Sequence, residues 1–175
     1  SNKEYSEEVS KNIFNRAEDE EVILCLNYDG MYGINNINRV MQSTNKNKEY
    51  IFGVDIFKVD DPILFNDCPR FNGFVYNNLK GTIKNIEEEE NCMWFSIEVD
   101  KDSISPFYAP DDIIFIESDK EEKIIIKFKV NEFKDKDDDE NEYDHIIPFN
   151  LSYAISIHKA QGLEYDSVKV VITSN

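Results

Sequence analysis

The chain has 175 residues, of which 41% are hydrophobic, enough for one ordinary core or two small ones, and 36 acidic against 19 basic side chains leave a net charge of −17. Charge of that sign and size repels polyanions at long range, so non-specific adhesion to DNA or to anionic lipid is disfavoured. No apolar run approaches the roughly 20 residues of a membrane-spanning helix, the start has no leader pattern, and Cys25, Cys68 and Cys92 lack zinc or redox spacing. The expectation is a soluble cytoplasmic protein with no membrane partner, its thiols reduced and packed as small apolar groups.

Ser1-Asn2 resembles the remnant of a cleaved tag, which predicts a piece of something longer. Residues 4 to 21 are rich in Glu, Asp, Lys and Asn, with Val9, Ile13, Phe14 and Ala17 at helical spacing, and read as an amphipathic helix. Val22-Ile23-Leu24-Cys25-Leu26 is a continuous apolar run bracketed by polar residues, the pattern of a strand buried in a parallel sheet. After the Gly30 to Gly33 turn, the spacing of Ile34, Ile37, Val40 and Met41 predicts a helix ending near Gln42.

From Tyr50 to about Ile147 the chain changes to short β-branched and aromatic runs, with candidate strands at 51–58, 62–66, 74–77, 80–87, 92–99, 112–117 and 123–130. That spacing, without helical periods between, predicts a small antiparallel barrel. Glu87 to Glu90 reads as a hairpin tip, and Trp94 and Phe95 as core packing rather than platforms for stacked bases. Residues 131–144 form a charge run, read as a solvated loop. A calcium loop starting at Asp135 is rejected because its sixth position is Glu140 and its twelfth Ile146. His145 and His158 have no cysteine partners nearby, so no zinc site and no other metal site is expected. Tyr153 to Ile157 and Val168 to Thr173 return to the texture of the first strand. The simplest organisation is an α/β domain in two parts, 1–49 and 148–175, interrupted by an inserted β-barrel at 50–147.

The segment from Tyr153 to Val171 (YAISIHKAQGLEYDSVKVV) is where chemistry concentrates. It reads as a strand that delivers Ser156, His158 and Lys159 to a strand end, then a turn at Gln161-Gly162, then a second buried strand. Polar groups at the C-terminal ends of α/β strands are where such sheets bind ligands. On spacing alone, an ordinary loop histidine and an ordinary turn fit the same residues.

The string also resembles helicase motif V of superfamily 1 DNA helicases, RecD-like enzymes in particular, where a pattern close to Y-A-x-T-x-H-K-S-Q-G-x-E-[FY]-x-x-V recurs. Ser156 stands for the usual Thr and Ala160 for the usual Ser. Residues Ile23 to Gln42, with Gly30, Gly33, Asn38 and Val40-Met41-Gln42, resemble the strand, Gly turn and L-N-x-x-L-Q helix that open the second motor domain. Phe57 to Leu64 and Val75 to Ile83 resemble the F-x-x-G-D-x-V and V-[FY]-N-G-D-x-G-x-V strands of its inserted Src-homology-3-like barrel. Asp60 and Asn78 stand where Gly is usual, and Leu79 where Asp is usual.

The resemblance implies a fold and a function. The fold would be a partial RecA-like parallel sheet, of the P-loop type, with an inserted Src-homology-3-like β-barrel. In the function, Asn27, Ser156, His158 and Lys159 would touch the phosphates or sugars of single-stranded DNA, and Gln161, Gly162 and Glu164 would face the nucleotide. The parent would be an ATP-dependent DNA helicase using ATP with Mg2+, its N-terminal motor domain being the partner missing from this chain. No glycine here is followed by lysine, so the phosphate cradle is absent, and no arginine follows the motif V segment. The chain is therefore expected to have no catalytic residues of its own, no ATPase activity, no bound nucleotide, and only weak affinity for single-stranded DNA. The rival expectation is an acidic protein-interaction module or DNA mimic, which would carry carboxylates spaced like phosphates along one exposed face.

Overall fold

The computed structural model describes Phe14, residues 21–132 and residues 143–172. The helix expected over 4–21 lies outside the described residues except for Phe14 and Glu21, as does most of the charge run, including the first eight positions, 135–142, of the rejected calcium loop. The chain forms two compact units, one of residues up to Lys46 together with Ser152 onward, the other Asn47–Leu151.

In the first unit, β1 (Glu21–Cys25) is the middle of three parallel strands, flanked by β10 (Ala154–Ser156) and β11 (Ser167–Val171). This is the pairing that the apolar runs predicted, but β11, read as a second buried strand, leaves Val168 and Val170 about half exposed and so is covered on one face only. Helix α1 (Ile34–Thr44) places Ile34, Ile37, Asn38 and Met41 on one stripe by its 3.6-residue period. Ile34, Ile37 and Met41 pack on Ile23, Cys25, Ala154 and Val171, with Tyr153, Phe14 and Tyr32 completing the cluster. The helix runs two residues past the expected Gln42. Ser43 and Thr44 then turn their hydroxyls back onto the carbonyls of Val40 and Met41, which weakens the last turn.

Asn38, the polar member of the buried stripe, donates from Nδ2 to the carbonyl of Ala154 (2.9 Å) and accepts from its amide at Oδ1 (2.8 Å). It thereby supplies the missing neighbour along the free edge of β10. Glu21, also buried, accepts from the Ser167 hydroxyl (3.1 Å) and pairs with Lys169 Nζ (2.6 Å), tying β1 to β11.

The second unit is an antiparallel sheet of six strands in the order β7-β8-β6-β5-β4-β9, with a separate hairpin of β2 (Tyr50–Phe52) and β3 (Asp55–Phe57). The sheet strands are β4 (Pro62–Phe65), β5 (Lys80–Glu89), β6 (Cys92–Asp100), β7 (Ile114–Glu117), β8 (Lys123–Asn131) and β9 (Phe149–Leu151). Met93, Phe95, Ile97 and Val99 alternate inward along β6, and across the register they face Val130, Phe128, Ile126 and Ile124 of β8. On β5, Ile83 and Ile86 would point to opposite faces, but the register shifts between Ile83 and Asn85, and this bulge lets both bury. Phe57, Phe65, Phe71, Phe95, Phe128 and Phe149 fill the interior largely edge to face, at centroid distances such as 5.3 Å for Phe57–Phe95 and 5.1 Å for Phe95–Phe149.

The structure corrects several strand expectations. The closed barrel is an open sheet: among the described residues β7 and β9 are its two edges and do not pair. The run 51–58 is a hairpin, because Gly53 takes φ +62 and reverses the chain there. Residues 74–77 form no strand beyond a single bridge from Val75 to Ile104. Left-handed residues at Gly73 and Asn78 bound the segment and turn the chain at both ends. The strand β9 has only three residues and carries no pattern of its own.

Two departures from the barrel pattern keep the backbone that glycine would allow. Asp60 and Asn78 both sit at φ +68, in the left-handed region that Asn and Asp tolerate best after glycine. The Asp60 carboxylate is held by Asn47 Nδ2 at 3.1 Å. Leu79, where the pattern has Asp, is a core residue 1% exposed. As expected, Phe95 is core. Trp94 is half-buried on the outer face under Lys127 Nζ, 5.3 Å from the ring. The hairpin tip proves to be Glu90-Asn91, with Asn91 at φ +70.

Candidate functional site

The C-terminal ends of the three parallel strands make one edge. Cys25 of β1 lies beside Ser156 of β10 and Val171 of β11. Asn27 and His158 each follow the last paired residue of their strand by two positions, so residues far apart in sequence leave neighbouring strands at the same end. Both are exposed. The strands that follow β1 lie on either side of it, the arrangement in which open α/β sheets form a crevice beyond their strand ends.

Beyond β10 the chain turns tightly. The Ser156 carbonyl accepts from the Ala160 amide at 3.2 Å, the His158 carbonyl from the Gln161 amide at 3.4 Å, and the Ala160 carbonyl from the Leu163 amide at 3.1 Å. Ser156 is 9% exposed, and its hydroxyl oxygen accepts from the Lys159 amide at 3.2 Å, which shapes the turn and leaves its proton to donate. Gln161, Gly162 and Glu164 are exposed and Lys159 half-buried. Gly162 sits at φ +81 with no atom within 4 Å of where a Cβ would be, so glycine is needed here for backbone conformation and not for space.

At the end of β1 the loop folds back onto α1. The Asn27 and Tyr28 carbonyls accept from the amides of Ile34 and Asn35 at 3.0 and 3.1 Å, satisfying donors of the first helical turn. Gly33 lies where a Cβ would be 2.5 Å from the Asp29 carbonyl carbon and oxygen, so this glycine is needed for close backbone approach. Gly33→Ala is expected to push the loop off the helix start, lowering stability by about 1–3 kcal/mol in thermal melts. A loss under about 0.5 kcal/mol would show that the loop yields freely.

Beside this loop is an open concavity of about 540 Å³ lined by Asp29, Gly30, Met31, Asn35, Asn36 and Arg39. Asn35 Nδ2 donates to Asp29 Oδ1 at 3.1 Å and Asn36 Nδ2 to the Met31 carbonyl at 2.8 Å. Sequence reasoning missed these amides and Arg39. Their signal was the surface face of a helix already recognised by its buried stripe, where polar residues are ordinary. Cys25, at the same strand end, is buried, and burial pushes its thiol up to about 11, which disfavours the thiolate.

No family model and no curated protein matches the chain. Among solved structures it is similar to Pif1 helicase from Bacteroides in complex with ADP-AlF3 and single-stranded DNA, at 15% identity and a TM-score of 0.44, over 92% of this chain and 36% of that one. It is likewise similar to unliganded Pif1 from Bacteroides sp, at 15% identity and a TM-score of 0.39, over 90% of this chain and 48% of that one. A structure of two coordinating Pif1 helicases at forked double-stranded DNA gives 15% identity and a TM-score of 0.39, over 89% of this chain and 34% of that one. The chain thus spans between about a third and a half of the chains it matches.

Proposed function

We propose that this chain is part of an ATP-dependent DNA helicase of the RecD-like superfamily 1 type, comprising much of the second RecA-like motor domain and an inserted unit. Its first unit helps to grip single-stranded DNA. The carrying observation is the shared strand-end edge: β1 and β10 are neighbours although residues 50–147 lie between them, and they end level at Cys25 and Ser156, each two residues before Asn27 and His158. An amide, an imidazole, an ammonium and the Ser156 hydroxyl can hold phosphate and sugar oxygens while reading no base, which is what a translocating motor requires.

Gln161, Gly162 and Glu164 form the turn proposed to face the nucleotide. The donor set fits a contact with that group and no more, since a carboxylate and an amide on an open turn can take ribose hydroxyls, whereas no backbone cradle for the phosphates is present in the sequence. When bound, ATP with Mg2+ would supply the energy of the motor. This chain's residues would orient the ribose and hold the strand.

The DNA-mimic reading is weakened where carboxylates of the sheet are neutralised: Glu87 pairs with Lys127 (2.8 Å), the buried Glu98 with Lys84 (3.8 Å) and Asp100 with Lys123 (2.7 Å).

The chain alone is expected to show no ATP turnover and to bind oligothymidylate weakly, with a shallow salt dependence because few phosphates are neutralised. Fluorescence anisotropy across a salt series, beside a phosphate-release assay, tests both. Tight, steeply salt-dependent binding or measurable turnover by the pure chain contradicts the reading.

A further inference from the structure

We propose that the second unit carries a pocket for an unpaired nucleobase, between the 66–77 loop and residues 103–105. The inference rests on the reading of the chain as part of a DNA motor. The cavity holds about 280 Å³, and its lining includes the amides of Asn72 and Asn77, the hydroxyls of Ser103 and Ser105, and Tyr76. Its walls are tied together by backbone: Val75 bridges Ile104, and the Ser105 amide donates to the Phe74 carbonyl at 2.9 Å. The pocket is therefore held in shape before any ligand arrives.

Exposed aromatic side chains adjoin it on one side, Tyr76 in the lining and Tyr108 and Phe107 beyond Gly73. Tyr76 is 51% exposed, Tyr108 60% and Phe107 90%, in a protein whose other phenylalanines largely fill a core. Tyr108 lies against Gly73, where a Cβ would come within 3.3 Å of its ring, and Phe107 stands edge-on to Tyr108 at 5.1 Å. A base offers a π-face to such rings. Its edge offers donors and acceptors together, which side-chain amides match because each carries both. Among the described residues the one charged group in the lining is Asp67, so the pocket suits a base and not a phosphate. An acidic chain could engage a strand this way without the counterion release that its charge opposes.

The test is a heteronuclear NMR titration of the full 175-residue chain, first with the nucleosides thymidine and deoxyadenosine, then with a short oligothymidylate. The nucleosides, which lack phosphate, should shift resonances of Tyr76, Asn77 and Tyr108, with an affinity that changes less than about twofold between about 50 and about 200 mM salt. Tyr108→Ala and Asn77→Ala should each weaken binding roughly fivefold or more without lowering the melting temperature. Absence of pocket shifts with nucleosides, or undiminished binding by both variants, overturns the proposal. So does a capped extended peptide that shifts the pocket where nucleosides do not, which would make it a peptide site. Oligothymidylate that shifts Ser156 to Glu164 and leaves the pocket untouched overturns this proposal and keeps the strand-end grip. Shifts at the pocket alone do the reverse.

Discussion

Arg70→Met is expected to destabilise the second unit by about 3 kcal/mol, with a fall in melting temperature of roughly 10 °C or more. The Arg70 side chain is only 5% exposed and joins four segments of chain. From the 3-10 turn at Pro69–Phe71 it donates to the Lys129 carbonyl of β8 at 2.8 Å and pairs with Asp112 before β7 and with Asp144 before β9, the last at 3.5 Å. Its guanidinium also lies over the rings of Phe71 and Phe128, at 5.2 and 5.9 Å. Methionine would keep much of the volume and none of the donors, leaving a half-buried carbonyl without this donor and Asp144 facing an apolar group. Arg70→Lys should recover little, since one ammonium cannot reach three acceptors in a plane. A melting temperature within about 2 °C of the parent for Arg70→Met would mean that water replaces the guanidinium.

Asn38→Leu is expected to cost the first unit about 2–4 kcal/mol, because the Ala154 amide and carbonyl would both be left buried without a partner. Leucine fits the apolar stripe, so a loss of stability would come from the strand and not from packing. Asn38→Asp should also destabilise, since it keeps the acceptor for the Ala154 amide but sets a carboxylate against the Ala154 carbonyl. Amide hydrogen exchange at Ala154 reads the effect locally and should speed by a factor matching the loss of stability. Unchanged protection there would show that the clamp is dispensable.

The parallel strands and α1 were legible because their signals are long and periodic. Five consecutive apolar residues fix β1, and Ile34, Ile37 and Met41 fix the helix face. The strand-end placement of Asn27 and His158 followed from those elements, since a polar residue directly after a buried strand must emerge at its end. Asn38 was noticed only as part of a resemblance. Nothing local distinguishes an amide that clamps an edge strand over 116 positions of separation from one facing water. Arg70 was invisible for the same reason, its partners lying 42 to 74 positions away. In the second unit alternation revealed β6 and β8, but β9 is too short to show a period, and the closing of a barrel depends on whether β7 and β9 meet, which no strand's own sequence states.

Whether the strand-end edge of the first unit grips DNA for a motor is read out by His158→Ala in a longer chain that supplies the phosphate cradle. DNA-stimulated ATP hydrolysis is expected to fall by roughly tenfold, about 1.4 kcal/mol of lost coupling. The melting temperature should stay within about 1 °C, because an exposed strand-end side chain contributes little to stability. Unwinding should fall with it. Unchanged stimulation at an unchanged melting temperature, or a loss of activity that only follows the folded fraction, would contradict such a grip.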